Sequence, residues 1–251
     1  MKRLFAAFFS LCFMWMSASA ATMEQDVNRY LGILQTDQDG QSLQALAWEG
    51  ISDPRLFDEI ERRLLAVSEG KPNGKSEVKK FAHYIRALGF SGQAKYIPTL
   101  QMLLPHKYYD DYAEQALKDQ PVYQSWNPII SNRATFNPRL SDDVNRFMNM
   151  LAADDLLLSR LASKRIYEGT KDPVLYEALA KKLQANYMLD LKGDQEDSVA
   201  WMAKALGSSK LEKYKPLLIE IVLKSPMGDV VRHAKRSLER DYRLTNTDYS
   251  P

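Results

Sequence analysis

The chain reads as an all-α protein: helical hairpins stacked into a right-handed coil, with one half copied to make the other. Three observations point there. Apolar residues recur at helical spacing along most of the chain beyond residue 21, separated by strings that start helices. The segment 81–104, FAHYIRALGFSGQAKYIPTLQMLL, returns as 199–222, VAWMAKALGSSKLEKYKPLLIEIV. Three such segment pairs occur in the same order at an offset of 117 to 121 residues, which marks a tandem duplication.

Residues 1–20 stand apart. Lys2 and Arg3, an apolar run over 4–16 and Ala18-Ser19-Ala20 form the layout of a secretory signal peptide, so the protein is expected to be exported, to a periplasm or the outside. The run of about 13 residues is short of the roughly 20 that span a bilayer, and no later stretch approaches that length. The single cysteine, Cys12, lies within it. Cleavage would therefore leave a chain with no disulfide and no thiol ligand. The chain's +2 charge is also the leader's; without Lys2 and Arg3 the two signs balance. A neutral chain has no general pull on nucleic acid, which excludes that class of partner.

The first half, 21–119, opens with 24–34, where Val27, Tyr30, Leu31 and Leu34 share a helical face. Its Asp26-Val27-Asn28-Arg29 string matches Asp143-Val144-Asn145-Arg146. Next, Glu49-Gly50 and Asp53-Pro54 match Glu168-Gly169 and Asp172-Pro173. In both copies the aspartate suits a helix N-cap and the proline a first turn. Leu56, Phe57, Ile60 and Leu64 then form an apolar stripe, as do Leu175, Tyr176, Leu179 and Leu183. In the third pair, Ala87-Leu88-Gly89 and Ala205-Leu206-Gly207 predict a glycine-terminated helix. Tyr96-x-Pro98 and Tyr214-x-Pro216 predict the start of the next one.

Residues 120–140 carry Pro121, Asn127-Pro128 and Asn137-Pro138, and predict an irregular connector between the halves. Its Tyr123, Trp126, Ile129, Ile130 and Phe136 are too apolar for a free linker. They predict packing along the seam or, alternatively, an aromatic binding loop centred on Trp126. The second half spans 141–242 and a tail follows at 243–251. Within each half lies a shorter echo: Gly50, Ser52, Phe57 and Leu64 precede Gly89, Ser91, Tyr96 and Leu103 by 39 residues.

Helix pairs at this period resemble HEAT and related armadillo-like repeats. The resemblance rests on the Ala-Leu-Gly helix end, the Tyr-x-Pro-x-Leu start of the next helix, and the run Asp229, Val231-Arg232, Ala234, Leu238 in the last helix. It covers most of the chain after the leader. The first half departs from it, since 109–117 holds no Val-Arg pair. The resemblance implies a solenoid whose hairpins bury their apolar faces on their neighbours, and whose second helices line a concave surface.

Signs of catalysis are thin. His83, His106 and His233 have no second histidine or carboxylate at metal-site spacing, and no nucleophile elbow, P-loop or dinucleotide fingerprint occurs. Adjacent acids such as Asp142-Asp143 diverge by about 100° on a helix and suit N-terminal turns better than one reacting centre. No catalytic residue, metal site or cofactor is therefore assigned.

The informative positions lie off the apolar stripe. His83 and Arg86, with their counterparts Trp201 and Lys204, are expected on the concave face, where an aromatic beside cations suits a protein segment or acidic ligand. The competing reading packs Trp201 against the next hairpin. Arg232, Lys235, Arg236 and Arg240 form a basic strip on the last helix, read as the polar cap of the stack or as a contact for an anionic membrane surface. The expected function is an exported, non-catalytic scaffold or adaptor for a protein or peptide in the cell envelope. The alternatives are a lyase or hydrolase using the groove, and a structural subunit of an envelope complex.

Overall fold

The computed structural model describes residues 22–37, 39–66, 72 and 74–244. The expected signal peptide and the tail beyond 244 lie outside the described residues. Within them the chain is helix and turn, with no strand. No helix there is long and apolar enough to cross a membrane.

In order, the helices are α1 (Met23–Thr36), α2 (Leu46–Glu49), α3 (Pro54–Leu65), α4 (Lys75–Phe90), α5 (Ile97–Leu103) and α6 (Asp110–Ile130). There follow α7 (Asp142–Ala152), α8 (Leu156–Glu168), α9 (Pro173–Asn186), α10 (Asp194–Gly207), α11 (Lys215–Lys224) and α12 (Gly228–Asp241). Their starts are written in the sequence. Asp53 Oδ1 accepts the Arg55 N–H at 2.9 Å and Asp172 Oδ1 the Val174 N–H at 2.9 Å, each with proline in the first turn. Such a cap contributes about 1 kcal/mol. Burying Leu56, Phe57, Ile60 and Leu64 contributes roughly 1.5–3 kcal/mol apiece, so packing holds α3 in place and the cap fixes where it begins.

The even-numbered helices form the main contacts. α4 lies along α6, α8 along α10 and α10 along α12, while α3, α5, α9 and α11 each pack against an even-numbered neighbour. Gly89 and Gly207 explain two of these close approaches. A Cβ on Gly89 would sit 2.9 Å from Ala116 Cα, and one on Gly207 2.3 Å from Ser237 Cβ. The helices end where these glycines were expected to end them, α10 at Gly207 and α4 one residue past Gly89, but neither glycine has a positive φ, so their missing side chains serve helix-to-helix contact.

A correction concerns 120–140. Residues 120–130 are not irregular: α6 runs through Pro121 and Pro128 to Ile130. Its buried stripe is Tyr109, Ala113, Ala116, Gln120, Tyr123, Asn127 and Ile130, alternating steps of four and three, whereas both prolines are exposed. The carbonyls they deprive of an N–H, those of Leu117 and Gln124, lie one turn back on the prolines' side of the helix. Gln120 and Asn127, the residues that proline would push out of helical geometry, are gripped instead. Gln120 Nε2 donates to Leu88 O at 2.8 Å, and Asn127 Nδ2 donates to Phe90 O at 2.9 Å and Ser91 O at 3.1 Å. They thereby cap the end of α4, whose last carbonyls lack helical partners.

Two apolar cores result, one from Val27 to Ala116 and one from Ile130 to Tyr242. Between them the seam is ionic. Asp26 (3% exposed) on α1, Glu49 (6%) on α2 and Arg146 (3%) on α7 converge there. Arg146 Nη2 stands 2.7 Å from Asp26 Oδ2, Arg133 Nη2 2.5 Å from the same oxygen, and Arg29 Nη2 2.5 Å from Glu49 Oε2. Tyr30 donates its hydroxyl to Glu49 Oε1 at 2.9 Å. Burial pushes the Glu49 carboxyl above its ordinary value, with Arg146 and Arg29 opposing.

Candidate functional site

Helix α10 buries Val199, Ala200, Met202, Ala203, Ala205 and Leu206 between α8 and α12, leaving Trp201 and Lys204 half-buried beside each other one turn apart. Helix α8 supplies Lys164 and Tyr167 at the same spacing. The Tyr167 and Trp201 rings meet edge to face, centroids 6.0 Å apart at 74°. Lys204 Nζ lies between them, 4.3 Å from the Tyr167 centroid and 3.9 Å from that of Trp201. Lys164 Nζ approaches Trp201 to 5.0 Å. An ammonium over a ring face is held by the ring's quadrupole and keeps free donors for a further partner.

The acids around this cluster are already committed. Arg160 Nη1 holds Asp194 and Asp197 at 2.9 Å each, Arg232 pairs with Asp229 at 2.9 Å, and Arg240 with Asp241 at 2.7 Å. Among the described residues no carboxylate lies within ion-pairing distance of Lys164 or Lys204. On α12, His233 feels the surplus. Burial lowers its pKa first, then the charges of Arg232, Lys204 and Arg236, against Asp229.

The positions expected on the concave face therefore part company. Trp201 and Lys204 meet, and Trp201 packs on α8, which precedes its own hairpin, while staying half-buried. Arg86 lies on the other half, its guanidinium 4.9 Å from the Tyr112 ring centroid. His83 is a correction. It is 4% exposed, packed under the Gly40 turn, with neither ring nitrogen hydrogen-bonded, so it offers no surface to a ligand. Burial, then Arg86 and Lys79, lowers its pKa. Trp126 belongs to the seam, where its Nε1 donates to Asp155 Oδ2 at 2.8 Å and its ring meets Tyr123. In the basic strip, Arg232 and Arg240 are paired as above, while Arg236 is exposed and Lys235 half-buried.

Sequence reasoning missed Lys164 and Tyr167. Their i, i+3 spacing mirrors Trp201 and Lys204, but only α8–α10 packing brings the two pairs together. It also missed the ionic seam, although Asp26 sits one helical turn before Tyr30 on the buried face of α1. Elsewhere, a cleft of about 440 Å³ opens beside α6 among Gly50, Ser52, Gly92 and Asn127, and an apolar one of about 540 Å³ between α7 and α9. Among the described residues no group of three or more His, Cys, Asp or Glu is placed to hold a metal. No protein-family model, curated protein or solved structure matches the chain, so the site must be read from its own chemistry.

Proposed function

We propose that the chain is an exported, non-catalytic scaffold or adaptor that binds a protein or peptide partner in the cell envelope. In this reading it is a right-handed solenoid of HEAT-like hairpins arising from a tandem duplication. Support for the architecture comes from equivalent positions doing equivalent work. Asp53-Pro54 and Asp172-Pro173 start α3 and α9, Pro98 and Pro216 open α5 and α11, and Gly89 and Gly207 admit α6 and α12. The even-numbered helices, the second of each hairpin, would line the concave side.

The observation that carries the binding reading is the position of Lys204 between Trp201 and Tyr167, without an acid, on a face that three helices share. Tryptophan and tyrosine are among the residue types that dominate binding energy at interfaces. The test is co-purification from native envelope fractions followed by mass spectrometry, comparing wild type with Trp201→Ala. A partner recovered by wild type and lost by the variant, at unchanged melting temperature, supports the proposal. A variant that melts earlier yet recovers the same partners removes Trp201 from any binding role.

A further inference from the structure

We infer that the α8–α10–α12 face receives an acidic peptide segment running across the three helices, with carboxylates pairing to Lys164 and Lys204 around the Trp201 ring. This rests on the binding reading above and adds the chemistry and spacing of the partner.

Four observations carry it. First, Lys164 and Lys204, like Lys235 and Arg236 of α12, have no carboxylate within ion-pairing distance among the described residues, whereas Arg160, Arg232 and Arg240 are each paired. Second, Lys204 is fixed in place by two rings, at 3.9 and 4.3 Å, so little further freedom is lost when an anion arrives. Third, the positive charge extends to α12, where Arg232, Lys204 and Arg236 all act on His233 against Asp229. Fourth, the ring faces already carry ammonium groups. An apolar side chain docking there would have to strip water from those charges without returning a partner, which disfavours a purely hydrophobic ligand.

The spacing follows from helix packing. Neighbouring helices lie about 8–10 Å apart, and a peptide in the polyproline II conformation, with three residues per turn and thus every third side chain on one face, advances about 3.1 Å per residue. Acids three residues apart therefore fall in step with successive helices, one at the Lys164–Lys204 pair and the next toward His233 and Arg236. A duplex nucleic acid would need a longer track of cations than this face provides. An anionic bilayer is flat and has no such period, which the test exploits.

The experiment measures the anisotropy of fluorescein-labelled twelve-residue peptides binding to the full chain at low salt. One peptide carries glutamate at every third position, a second has glutamine at those positions, and a third has the same number of glutamates in one block. Phosphatidylglycerol vesicles are run in parallel. The expected result is that the spaced-glutamate peptide binds about tenfold or more tighter than the glutamine peptide, and tighter than the block. Added salt should weaken it. Lys204→Met and Lys164→Met should each cost about tenfold in affinity, with melting temperatures showing that both variants remain folded.

Equal binding of the glutamate and glutamine peptides, absence of binding by either, or binding of vesicles alone overturns the inference. Its failure is distinguishable from failure of the adaptor proposal. A native partner lost with Trp201→Ala, alongside no preference for acid, sinks the acidic chemistry and leaves the adaptor. Partner recovery independent of Trp201 overturns the inference and leaves an adaptor that binds elsewhere, whereas no partner recovered by wild type sinks the adaptor.

Discussion

Arg146 Nη2 lies 2.7 Å from Asp26 Oδ2, and the two residues belong to the two copies of one string, Asp-Val-Asn-Arg, at 26–29 and 143–146. The arginine of the second copy reaches the aspartate of the first. Each aspartate also meets its own arginine three residues on, Asp26 with Arg29 at 3.2 Å and Asp143 with Arg146 at 3.1 Å. The repeated string is thus the joint of the molecule.

Breaking that joint from one side should be costly. Asp26→Ala leaves Arg146 buried with Asp143 at 3.1 Å and only the longer contacts to Asp142 at 3.9 Å and Glu49 at 4.0 Å, and is expected to lose about 3 kcal/mol, the lower end for a buried pair. Asp26→Leu with Arg146→Met removes both charges and should restore most of it. Urea unfolding measures both. A single-variant loss below about 1 kcal/mol would place the pair with ordinary surface bridges instead.

Gly50 tests the continuity of α6. Its φ is +68°, and a Cβ there would stand 2.8 Å from Ile130 Cβ. Gly40, left-handed too at φ +72° and ψ +6°, is the control, since a Cβ there would come no closer than 3.2 Å to its neighbour, His83 Cβ. Gly40→Ala should cost about 1–2 kcal/mol, mostly from backbone strain. Gly50→Ala should exceed that by a further 1–3 kcal/mol or so through overpacking. Equal losses would mean that α6 does not reach Ile130 as described.

Pro121 is an exposed interruption in a helix held by its other face. Pro121→Ala returns an N–H to the Leu117 carbonyl and should raise stability by about 2 kcal/mol, after allowing for the greater entropy of the unfolded chain. A fall in melting temperature would show that the proline itself shapes α6.

Tyr123 donates its hydroxyl to Ala47 O at 3.1 Å, joining α6 to α2 across 76 residues. Tyr123→Phe should cost about 1 kcal/mol, since a half-buried carbonyl loses its donor while the ring stays packed. Thermal melts read this, and no loss would mean that water replaces the bond.

His83 gives the pH dependence. Its folded pKa lies below the ordinary 6.5 because burial, Arg86 and Lys79 disfavour the charged ring, with Asp39 and Asp37 opposing. Below pH 6.5 the unfolded chain takes up a proton that the folded chain resists. Stability is therefore lost as the pH falls from 6.5 toward the folded value and is fully present above 6.5. His83→Leu should shrink the drop in melting temperature between pH 7.5 and pH 5. His233, lowered in the same direction, should retain its own share. An unchanged drop would assign the acid sensitivity elsewhere.

Much of this was legible residue by residue. The caps at Asp53 and Asp172, the prolines at 98 and 216, and the buried stripes of α3 and α9 follow from local chemistry, which nearby residues fully specify. Trp201 and Lys204 were legible as off-stripe positions. Their partners Lys164 and Tyr167 were not, because the four residues meet through packing between helices nearly 40 positions apart. His83 misled for the same reason: helical phase places it off the stripe of α4, but the Gly40 turn folds over that side and buries it.

By itself the sequence determined that the described chain is helical, where most helices begin, and which faces seek a core, because capping and amphipathic period act over a single turn. Tertiary structure alone decided that α6 continues through two prolines, that Gly89 and Gly207 serve contact, and that Asp26 and Arg146 meet. Each of these depends on a partner far along the chain supplying what the local backbone lacks: an acceptor for Gln120 and Asn127, room for a neighbouring helix, or a counter-charge in a place water does not reach.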